Sequence, residues 1–598
     1  MYVWFFSMYM MSVLEESKSG NNFQSGIGMI QLIIDRSSLL LKLADPNHDD
    51  LFYFFTVLLD TKMFLRHLKT PSTNILRRHN SYIAAIDQGT SSTRVILYDN
   101  KTLTPTFAHQ VSLADATSTP QAGWVQMNPK ALLHSIETCF EGVLNQAKIT
   151  TQDLISVGIT NQRESLVIWD RHTGEPLFDI ILWLDTRTRS TVSDLETKLK
   201  STDALRDITG LPLSTYFTGV KLKWMMDNVP AVKQAIEQGT AQIGTVDAFI
   251  AKTFTNQHIT DVTNASRTLM MDLNSCTWSD EAIDALGLPR EITTNEVLPT
   301  ITSSADTLGT IVSKTSAFEG VPLTGIIGDQ QSAMVGQRCF TAGMAKTTYG
   351  TGAFTLMNTG TVPYTSKHGL LTTCCYSNVG SLDSSQVTYA LEGAVGSCAV
   401  GIDWFLHKLD LFKDPIEFDQ FAEKALKTKG TEGLYFVSAF GGLLAPRWDD
   451  TARGTMVGLT LGHDKSHIAL AIAEGIAFQV KDVATAMVND TNGTHPLIQM
   501  QVDGGVSKSN PLLQTQANLL NVNVVRPQNV ETTAMGCAIV TGAGAGLWDT
   551  YESSPLGGGE KNDSVVFESE LMDDEFRFKR FESWEAAVKS SGEWADRV

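Results

Sequence analysis

The sequence predicts an α/β protein built from two duplicated domains around a central cleft. At 598 residues, the chain is too long for one ordinary hydrophobic core. From Ser81 onward, short apolar stretches alternate with stretches of helical spacing, as in layered α/β folds. The stretch DQGTSSTRVILYD at 87–99 also has a weak echo in TYGTGAFTLMNT at 348–359. Each stretch places Gly-Thr at a turn that precedes a strand, which is what a duplication predicts.

Composition, charge and cysteine spacing argue against a nucleic-acid-binding protein and against a cysteine metal site. The chain is 42% hydrophobic and 19% charged, as is typical of a globular protein. A net charge of −19 argues against nucleic acid as the main partner, because binding to phosphate backbones needs a basic face. The seven cysteines are scattered without the spacing of a metal site. We therefore expect reduced, buried thiols in an intracellular protein.

Residues 1–80 differ from the rest and are predicted to be an extension of unknown role. The apolar run MYVWFFSMYMMSV lacks a leading basic segment and is too short to span a bilayer. The run LFYFFTVLL at 51–59 is shorter still. We expect no stable membrane span, and attachment to a membrane through residues 1–60 is a disfavoured alternative.

Several elements can be placed from local signals. The segments 83–86 and 94–98 read as two strands joined by a polar turn, and 154–160 reads as another strand. Asn128 followed by Pro129 predicts a helix start, with Asn as the N-cap. Ser466 is predicted to cap a second, long helix with a continuous apolar stripe.

The turn after the first strand carries the groups that a phosphate site needs. Gly89 lets the backbone turn sharply, and the hydroxyls that follow can donate to phosphate oxygens. An arginine can supply the charge that a P-loop takes from its lysine. Asp87 can hold Mg²⁺ through water. The phosphate candidates are therefore Thr90, Ser91, Ser92 and Arg94, although an ordinary hairpin tip is the alternative.

A second group of residues has the chemistry to hold and activate a small polyol. Asp329 ends an apolar strand in GIIGDQQSA, where it suits a general base, with an Asx turn as the alternative. Arg163 and Glu164 follow another strand, and adjacent donors and acceptors suit hydroxyl groups, with a surface ion pair as the alternative. Trp183 and Tyr216 can give such a site an apolar wall, although single aromatic residues more often belong to the core.

Taken together, these stretches resemble those of glycerol kinases, which belong to the FGGY family of carbohydrate kinases. The resemblance covers about residues 82–598. It rests on motifs that recur in this order: DQGTSSTR, GWVQMNP, GITNQRES, YFTGVKLKW, GTVDAF, TNASRT, GDQQSA, GMAKTTYGTG, the LEGAV run, APRWDDTARG and VDGGVSKSN. The combination of NQRE, TNASRT and GDQQ is typical of glycerol kinases rather than of the sugar kinases in the family.

The resemblance implies the fold of the actin-like, ribonuclease-H-like ATPases. It implies an N-terminal domain at 81–337 that binds glycerol and phosphate, and a C-terminal domain at 338–598 that binds the nucleotide. MgATP and glycerol would meet in the cleft, with Asp329 as the catalytic base. By the same motifs, glycerol would be held by Arg163, Glu164, Trp183, Tyr216, Asp329 and Gln330.

The nucleotide side shows departures from the family pattern. Ala399 stands where the family usually has glycine, Asp403 replaces a frequent polar amide, and Ser509 takes the place of a nucleotide-contacting Asn. With Thr351 and Gly505, these residues are the expected nucleotide contacts of the second domain. The departures bear on adenine contacts and leave the phosphoryl chemistry intact.

The sequence leaves open the substrate, the oligomeric state and the cellular location. The substrate of the same chemistry can be another polyol or a sugar, and the fold also serves non-catalytic, ATP-switched binding proteins. The resemblance implies a homodimer or homotetramer. We expect a cytoplasmic location, with association with mitochondria as an alternative.

Overall fold

The computed structural model describes residues 82–595, except 294–295, 314–315, 530, 556–563 and 571–572, together with three earlier strands. The chain divides into two compact units, residues 1–78 and 79–598. In the first unit, strands Ile30–Asp35, Ser38–Leu43 and Thr56–Val57 form an antiparallel sheet. The rest of the predicted extension at 1–80 lies outside the described residues.

The second unit contains a first large sheet of six strands. In chain order these are β1 (Tyr82–Gln88), β2 (Ser92–Asp99), β3 (Pro105–Ser112), β4 (Leu154–Asn161), β5 (Ala305–Thr310) and β6 (Pro322–Gly328). Their order across the sheet is β5-β6-β4-β1-β2-β3. The strands β1, β2 and β3 are antiparallel neighbours, whereas β4 is parallel to both β1 and β6.

A second large sheet repeats this topology. Its strands are β7 (Met344–Tyr349), β8 (Ala353–Asn358), β9 (Leu371–Tyr376), β10 (Thr388–Val395), β11 (Gln499–Asp503), β12 (Asn523–Arg526) and β13 (Val565–Phe567). The order is β9-β10-β8-β7-β11-β12-β13, with β7 antiparallel to β8 and parallel to β11. The two central hairpins, β1–β2 and β7–β8, therefore occupy equivalent positions, which confirms the predicted duplicated α/β fold.

Helices cover these sheets. The ones that bear on the site are α1 (Pro129–Ala147), α2 (Asp329–Gly336), α3 (Ala399–His407), α4 (Lys465–Asp490), α5 (Asn510–Leu520) and α6 (Thr532–Gly544). Further helices are Arg189–Leu199, Arg206–Thr209, Thr218–Asn228, Pro230–Glu237, Val246–Thr255, Val262–Ala265, Asp280–Ala285, Pro415–Leu426 and Asp574–Ser591. Short 3₁₀ segments lie at Ala114–Ala116, Thr151–Asp153, Arg290–Thr293, Ser384–Gln386 and Gly505–Lys508.

Smaller sheets complete the unit. One contains the strands Ala241–Thr245, Leu166–Asp170, Ile180–Ile181, Gln126–Met127 and Thr117–Ser118. The two-stranded sheets pair Ile259–Asp261 with Thr300–Thr302, Met271–Asp272 with Thr277–Trp278, and Tyr435–Val437 with Thr455–Val457.

Local signals in the sequence placed one helix start correctly and another wrongly. Asn128 caps α1, because its side chain accepts the N–H of Ala131, as predicted. Ser466 does not cap α4. The cap is Asp464, whose carboxylate accepts the N–H groups of Ser466 and His467. An aspartate two residues before a serine offers an equally good cap, and its charge also suits a helix N-terminus.

The hydrophobic cores follow the two sheets. One face of the first sheet packs under α1 and Val246–Thr255, and its other face packs against α2 and α6. The second sheet packs against α4 and α5. All seven cysteines are buried and unpaired, which confirms the prediction of buried thiols. Within the described part of the chain, no helix combines the length and apolar character needed to cross a bilayer.

The helices α2 and α6 cross at unusually close range. A Cβ atom built on Gly536 of α6 would lie 1.8 Å from the carbonyl oxygen of Ser332, and one on Gly336 of α2 would lie 2.0 Å from that of Thr532. These partners are backbone atoms, so they cannot move aside as a flexible side chain would. The crossing therefore requires glycine at both positions. It matters because α6 belongs to the C-terminal half but packs on β1, β4 and β6 of the first sheet.

We predict that Gly536→Ala destabilises the protein, because its methyl group must force the two helices apart. Overpacking of this kind costs about 1–3 kcal/mol. The thermal midpoint of the purified variant, followed by circular dichroism, measures the loss. Gly462→Ala is the matched control, since a Cβ there meets only Thr460 Oγ1 at 3.7 Å. Equal midpoints for both variants would contradict the close crossing.

Candidate active site

Two neighbouring strands of the first sheet bring the predicted site residues together. Arg163 and Glu164 follow β4, and Asp329 follows β6 as the first residue of α2. Because β4 and β6 are parallel and Gly328 pairs with Asn161, both segments leave the sheet at the same edge. Sequence analysis placed Asp329 at a strand end, and the structure adds that it also opens a helix.

The Asp329 carboxylate is held in place but remains accessible. Its Oδ1 lies 3.2 Å from Nε of Arg163, and the side chain keeps 30% of its exposure. The N–H of Gln330 donates to the same oxygen at 2.7 Å. Burial raises the pKa of Asp329 above the usual range of an aspartate, and Arg163 and Lys346 partly offset this effect. A partly exposed carboxylate of raised pKa is suited to accept a proton.

Arg163 is anchored by a glutamate from the second sheet. Its Nη1 and Nη2 donate to the two carboxylate oxygens of Glu392, on β10, at 2.7 and 3.0 Å. Both side chains are buried. Burial alone would raise the pKa of Glu392, but Arg163 and Arg267 outweigh it and hold that pKa at about 2. The paired carboxylate is therefore ionised.

Arg267 extends this pair into a buried network of four charges. Its Nε donates to Oε1 of Glu164 at 2.6 Å, and its Nη2 donates to Oε1 of Glu392 at 3.3 Å. Glu164 lies in the left-handed region with φ +62°, and its carbonyl oxygen accepts the hydroxyl of Thr218 at 3.0 Å. Two arginines and two glutamates balance one another, which is how a protein tolerates buried charge.

Sequence analysis missed Glu392, Arg267 and Lys346 as site residues. Each lies within a motif that carried the resemblance, namely LEGAV, TNASRT and GMAKTTYGTG. The available signal was a single charged residue in an otherwise uncharged stretch. Such a residue must find a partner when it is buried, but the sequence does not say which one.

The aromatic pair connects the two predicted subsites. Trp183 and Tyr216 meet edge to face with their ring centroids 5.4 Å apart. The indole Nε1 of Trp183 donates to Oγ1 of Thr90 at 2.9 Å, which joins the aromatic wall to the phosphate turn. The guanidinium of Arg267 lies 5.9 Å from the ring centre of Tyr216. The wall is therefore fixed from both sides.

The phosphate turn is the tip of the β1–β2 hairpin. Asp87 and Arg94 face each other in the register of the two strands, and the N–H of Gly89 donates to the carbonyl of Ser92 at 2.9 Å. The carbonyl oxygen of Ser91 accepts the N–H of Leu113. Arg94 is paired with Glu531 and also donates to Gln110. Its charge is therefore engaged within the protein.

Asp87 is the predicted metal ligand. Burial raises the pKa of Asp87 to about 7, and Arg94 partly offsets this effect. No group of three or more acidic, His or Cys side chains within the described residues is arranged to hold a metal. A single carboxylate fits an ion that keeps most of its waters and arrives with phosphate groups, as Mg²⁺ does.

The second hairpin and a nearby cavity bring the predicted nucleotide residues together. Thr351 lies at the tip of β7–β8, where its carbonyl accepts the N–H of Cys398, and the N–H of Ala399 donates to Gly350. A cavity of about 380 Å³ opens beside the start of α3. Four predicted residues line it: Ala399, Asp403, Gly505 and Ser509. The hydroxyl of Ser509 donates to Oδ1 of Asp419 at 2.6 Å, and Asp419 also lines the cavity.

Comparison with known proteins assigns the chain to a class. Residues 82–336 match the N-terminal domain of the FGGY family of carbohydrate kinases, and residues 345–545 match its C-terminal domain. These matches cover most of the chain, which therefore belongs to the FGGY family of carbohydrate kinases.

The chain is also similar to individual kinases over most of its length. The chain is 41% identical over 523 residues to a glycerol kinase of Acidiphilium cryptum, covering 86% of this chain and 99% of the relative. It is 40% identical over 542 residues to a glycerol kinase of Arabidopsis thaliana, covering 87% and 99%. A crystal structure of Plasmodium falciparum glycerol kinase with ADP matches with a TM-score of 0.78 and 36% identity, over 86% of this chain and 98% of that one. A gluconate kinase from Lactobacillus acidophilus, at 21% identity and TM-score 0.74 over 87% and 100%, shares the fold.

We predict that Glu392→Gln strongly destabilises the protein, because it leaves two buried guanidinium groups with one carboxylate fewer. Breaking a buried ion pair costs about 3–5 kcal/mol. Denaturant unfolding followed by tryptophan fluorescence measures the change.

Glu296→Gln is the matched control for this variant. It removes an exposed pair with Arg171, whose Nη1 lies 2.6 Å from Oε2 of Glu296. An exposed pair contributes less than about 1 kcal/mol. A loss at Glu392 no larger than that of the control would mean that the buried network does not stabilise the fold.

Proposed function

We propose that the protein is a glycerol kinase, which transfers the γ-phosphoryl group of ATP to a terminal hydroxyl of glycerol and yields sn-glycerol 3-phosphate. The observation that carries this proposal is the partly exposed Asp329 carboxylate, fixed by Arg163 at the edge of the sheet beside Glu164 and Gln330. The similarity to glycerol kinases along almost their whole length supports the same reaction.

Glycerol would be held by polar groups on one side and aromatic rings on the other. Gln330 has an amide group free for a ligand, whereas Arg163 and Glu164 already bond to the buried network and would bind the hydroxyls in addition to these partners. Each hydroxyl both donates and accepts. Trp183 and Tyr216 cover its carbon atoms. Because the Arg163 and Glu164 side chains are already fixed by the buried network, little conformational entropy is lost when glycerol binds.

ATP enters as its magnesium complex, which is a substrate of the reaction. The turn hydroxyls of Thr90, Ser91 and Ser92 and the charge of Arg94 would receive the phosphates, after Arg94 exchanges its contact with Glu531 for the ligand. Asp87 would hold the Mg²⁺ through water. The sugar and base would occupy the cavity lined by Ala399, Asp403, Gly505 and Ser509, with Thr351 at the second turn.

Catalysis would consist of positioning and charge neutralisation. Phosphoryl transfer passes through a loose transition state, so the protein needs to align the acceptor hydroxyl and neutralise the phosphates. Asp329 accepts the hydroxyl proton as the new oxygen–phosphorus bond forms and the bond from the γ-phosphorus to the bridging oxygen of ADP breaks. Closure of the two domains, proposed at 81–337 and 338–598, would exclude water and limit hydrolysis of ATP.

We further propose that the protein is a homodimer or homotetramer and that it is located in the cytoplasm. The buried, unpaired state of all seven cysteines supports a reducing compartment.

The second candidate is a kinase of the same family that acts on another polyol or a sugar. The gluconate kinase described above has the same fold, so the fold alone does not decide between the two candidates. A coupled assay for ADP release with glycerol, other polyols and sugars separates the two. Release with glycerol at the highest kcat/KM supports the proposal, whereas preference for another acceptor favours the alternative. ATP binding without ADP release for any acceptor would favour a non-catalytic switch.

We predict that Asp329→Asn lowers kcat by about 10²–10⁴-fold, the usual contribution of a positioned general base. Nucleotide binding, measured with a fluorescent ADP analogue, should stay within about twofold of the original because Asp329 lies on the polyol side. Asp115→Asn, at an exposed position, serves as the control. Near-normal turnover in Asp329→Asn would rule out the base assignment.

We also predict that Gly505→Val raises the KM for ATP and leaves the KM for glycerol unchanged. A Cβ on Gly505 meets no atom within 4 Å, so the larger side chain fits the free protein and projects into the cavity. An increase of about tenfold would correspond to one displaced set of nucleotide contacts. Gly441→Val also enters open space, away from the cavity lining, and should change neither constant. An unchanged KM for ATP in Gly505→Val would place the nucleotide elsewhere.

A further inference from the structure

A lysine that sequence analysis did not assign is buried beside the proposed base. Lys346 lies on β7, and its side chain has no exposed surface. A lysine is almost never fully buried unless partners hold its charge. Yet its Nζ donates to two neutral acceptors, Oε1 of Gln330 and, at 2.9 Å, Oγ1 of Thr348. Among the described residues, no carboxylate forms a direct ion pair with it. The charges of Asp503 and Asp329 favour its protonated form, and Lys346 in turn offsets the raised pKa of Asp329. Its direct hydrogen-bond partners indicate a further role, which is to orient its neighbours.

The orientation concerns the side-chain amide of Gln330. An amide has one accepting oxygen and one NH₂ group that donates twice, whereas an ammonium group only donates. Lys346 therefore fixes the oxygen of Gln330 toward itself, because the reverse orientation would set two donors against each other. The Nε2 of Gln330 donates to no described residue, and the side chain is half-buried next to Asp329. Both amide donors are thus left for a ligand.

We propose that Lys346 is a positioning residue for the polyol site, which holds Gln330 with its NH₂ group available to an oxygen atom of the substrate. This inference rests on the proposed function and deepens it. The backbone N–H of Gln330 also donates to Oδ1 of Asp329 at 2.7 Å, so the base and the amide belong to one unit. A substrate hydroxyl can then give its hydrogen to the carboxylate and receive one from Gln330. A site that offers an acceptor and a donor side by side selects a hydroxyl group.

The test separates this role from a merely structural one by comparing the two substrates. Lys346→Met should raise the KM for glycerol about tenfold, as expected when one oriented hydrogen bond is lost. The KM for ATP should stay within about twofold. Lys481→Met is the matched control, because Lys481 is half-buried on α4, donates to the carbonyl of Leu519 and lies outside the site. It should change neither constant.

Two further variants test whether Lys346 acts through Gln330. Gln330→Glu retains a partner for Lys346 but has no NH₂ group, so the KM for glycerol should again rise about tenfold. In a background of Gln330→Met, the change Lys346→Met should have no further effect on this KM. Independent effects would instead multiply to about a hundredfold.

The outcomes distinguish a failure of the proposed function from a failure of this inference alone. If the wild-type protein shows no glycerol-dependent release of ADP, the proposed function falls and this inference falls with it. If the wild type is active, three results would overturn the inference alone: an unchanged KM for glycerol in Lys346→Met, normal glycerol binding in Gln330→Glu, or multiplied effects in the double variant. Should Lys346→Met fail to fold, Gln330→Glu decides, because it retains the buried lysine and its partner.

Discussion

The buried ion pair between Arg163 and Glu392 is the interaction on which the rest of the site depends. The two residues are 229 positions apart, one after a strand of the first sheet and the other on a strand of the second. Removing two such charges from water costs several kcal/mol per ion, and only good geometry with further hydrogen bonds repays that cost. The bidentate contact supplies this geometry. It also leaves Nε of Arg163 for Asp329, so one guanidinium joins both halves and orients the proposed base.

The remaining contacts extend this constraint across the site. Arg267 ties Glu164 to the same carboxylate, and its guanidinium lies near the ring of Tyr216. Tyr216 meets Trp183, whose indole N–H reaches Thr90 in the phosphate turn. The proposed polyol and phosphate subsites are thus connected by direct contacts. Contacts among mostly buried groups of this kind hold the geometry of a site before a ligand arrives.

The sequence was informative where a local pattern determines the structure. The β1–β2 hairpin, the cap of Asn128 and the position of Asp329 after an apolar strand all depend on neighbours within a few residues. Pairings over long distances could not be predicted. Glu392 sits in a strand, and nothing within that strand indicates a partner 229 residues away. Arg94 was assigned to phosphate from its turn, but its contact with Glu531 depends on how distant segments fold together. The cap of α4 failed for a different reason, since Asp464 and Ser466 satisfy the same local rule.

The two repeats of the duplicated fold contribute unequally to the proposed chemistry. When the two hairpins are aligned on their Gly-Thr turns, Asp87 of β1 corresponds to Thr348 of β7. The first repeat has an acid at this position, and the second has a hydroxyl that accepts a hydrogen bond from Lys346. The two proposed functional carboxylates, Asp87 and Asp329, therefore both come from the first repeat. The second repeat supplies Glu392 and Lys346, which hold the groups of the first repeat in place.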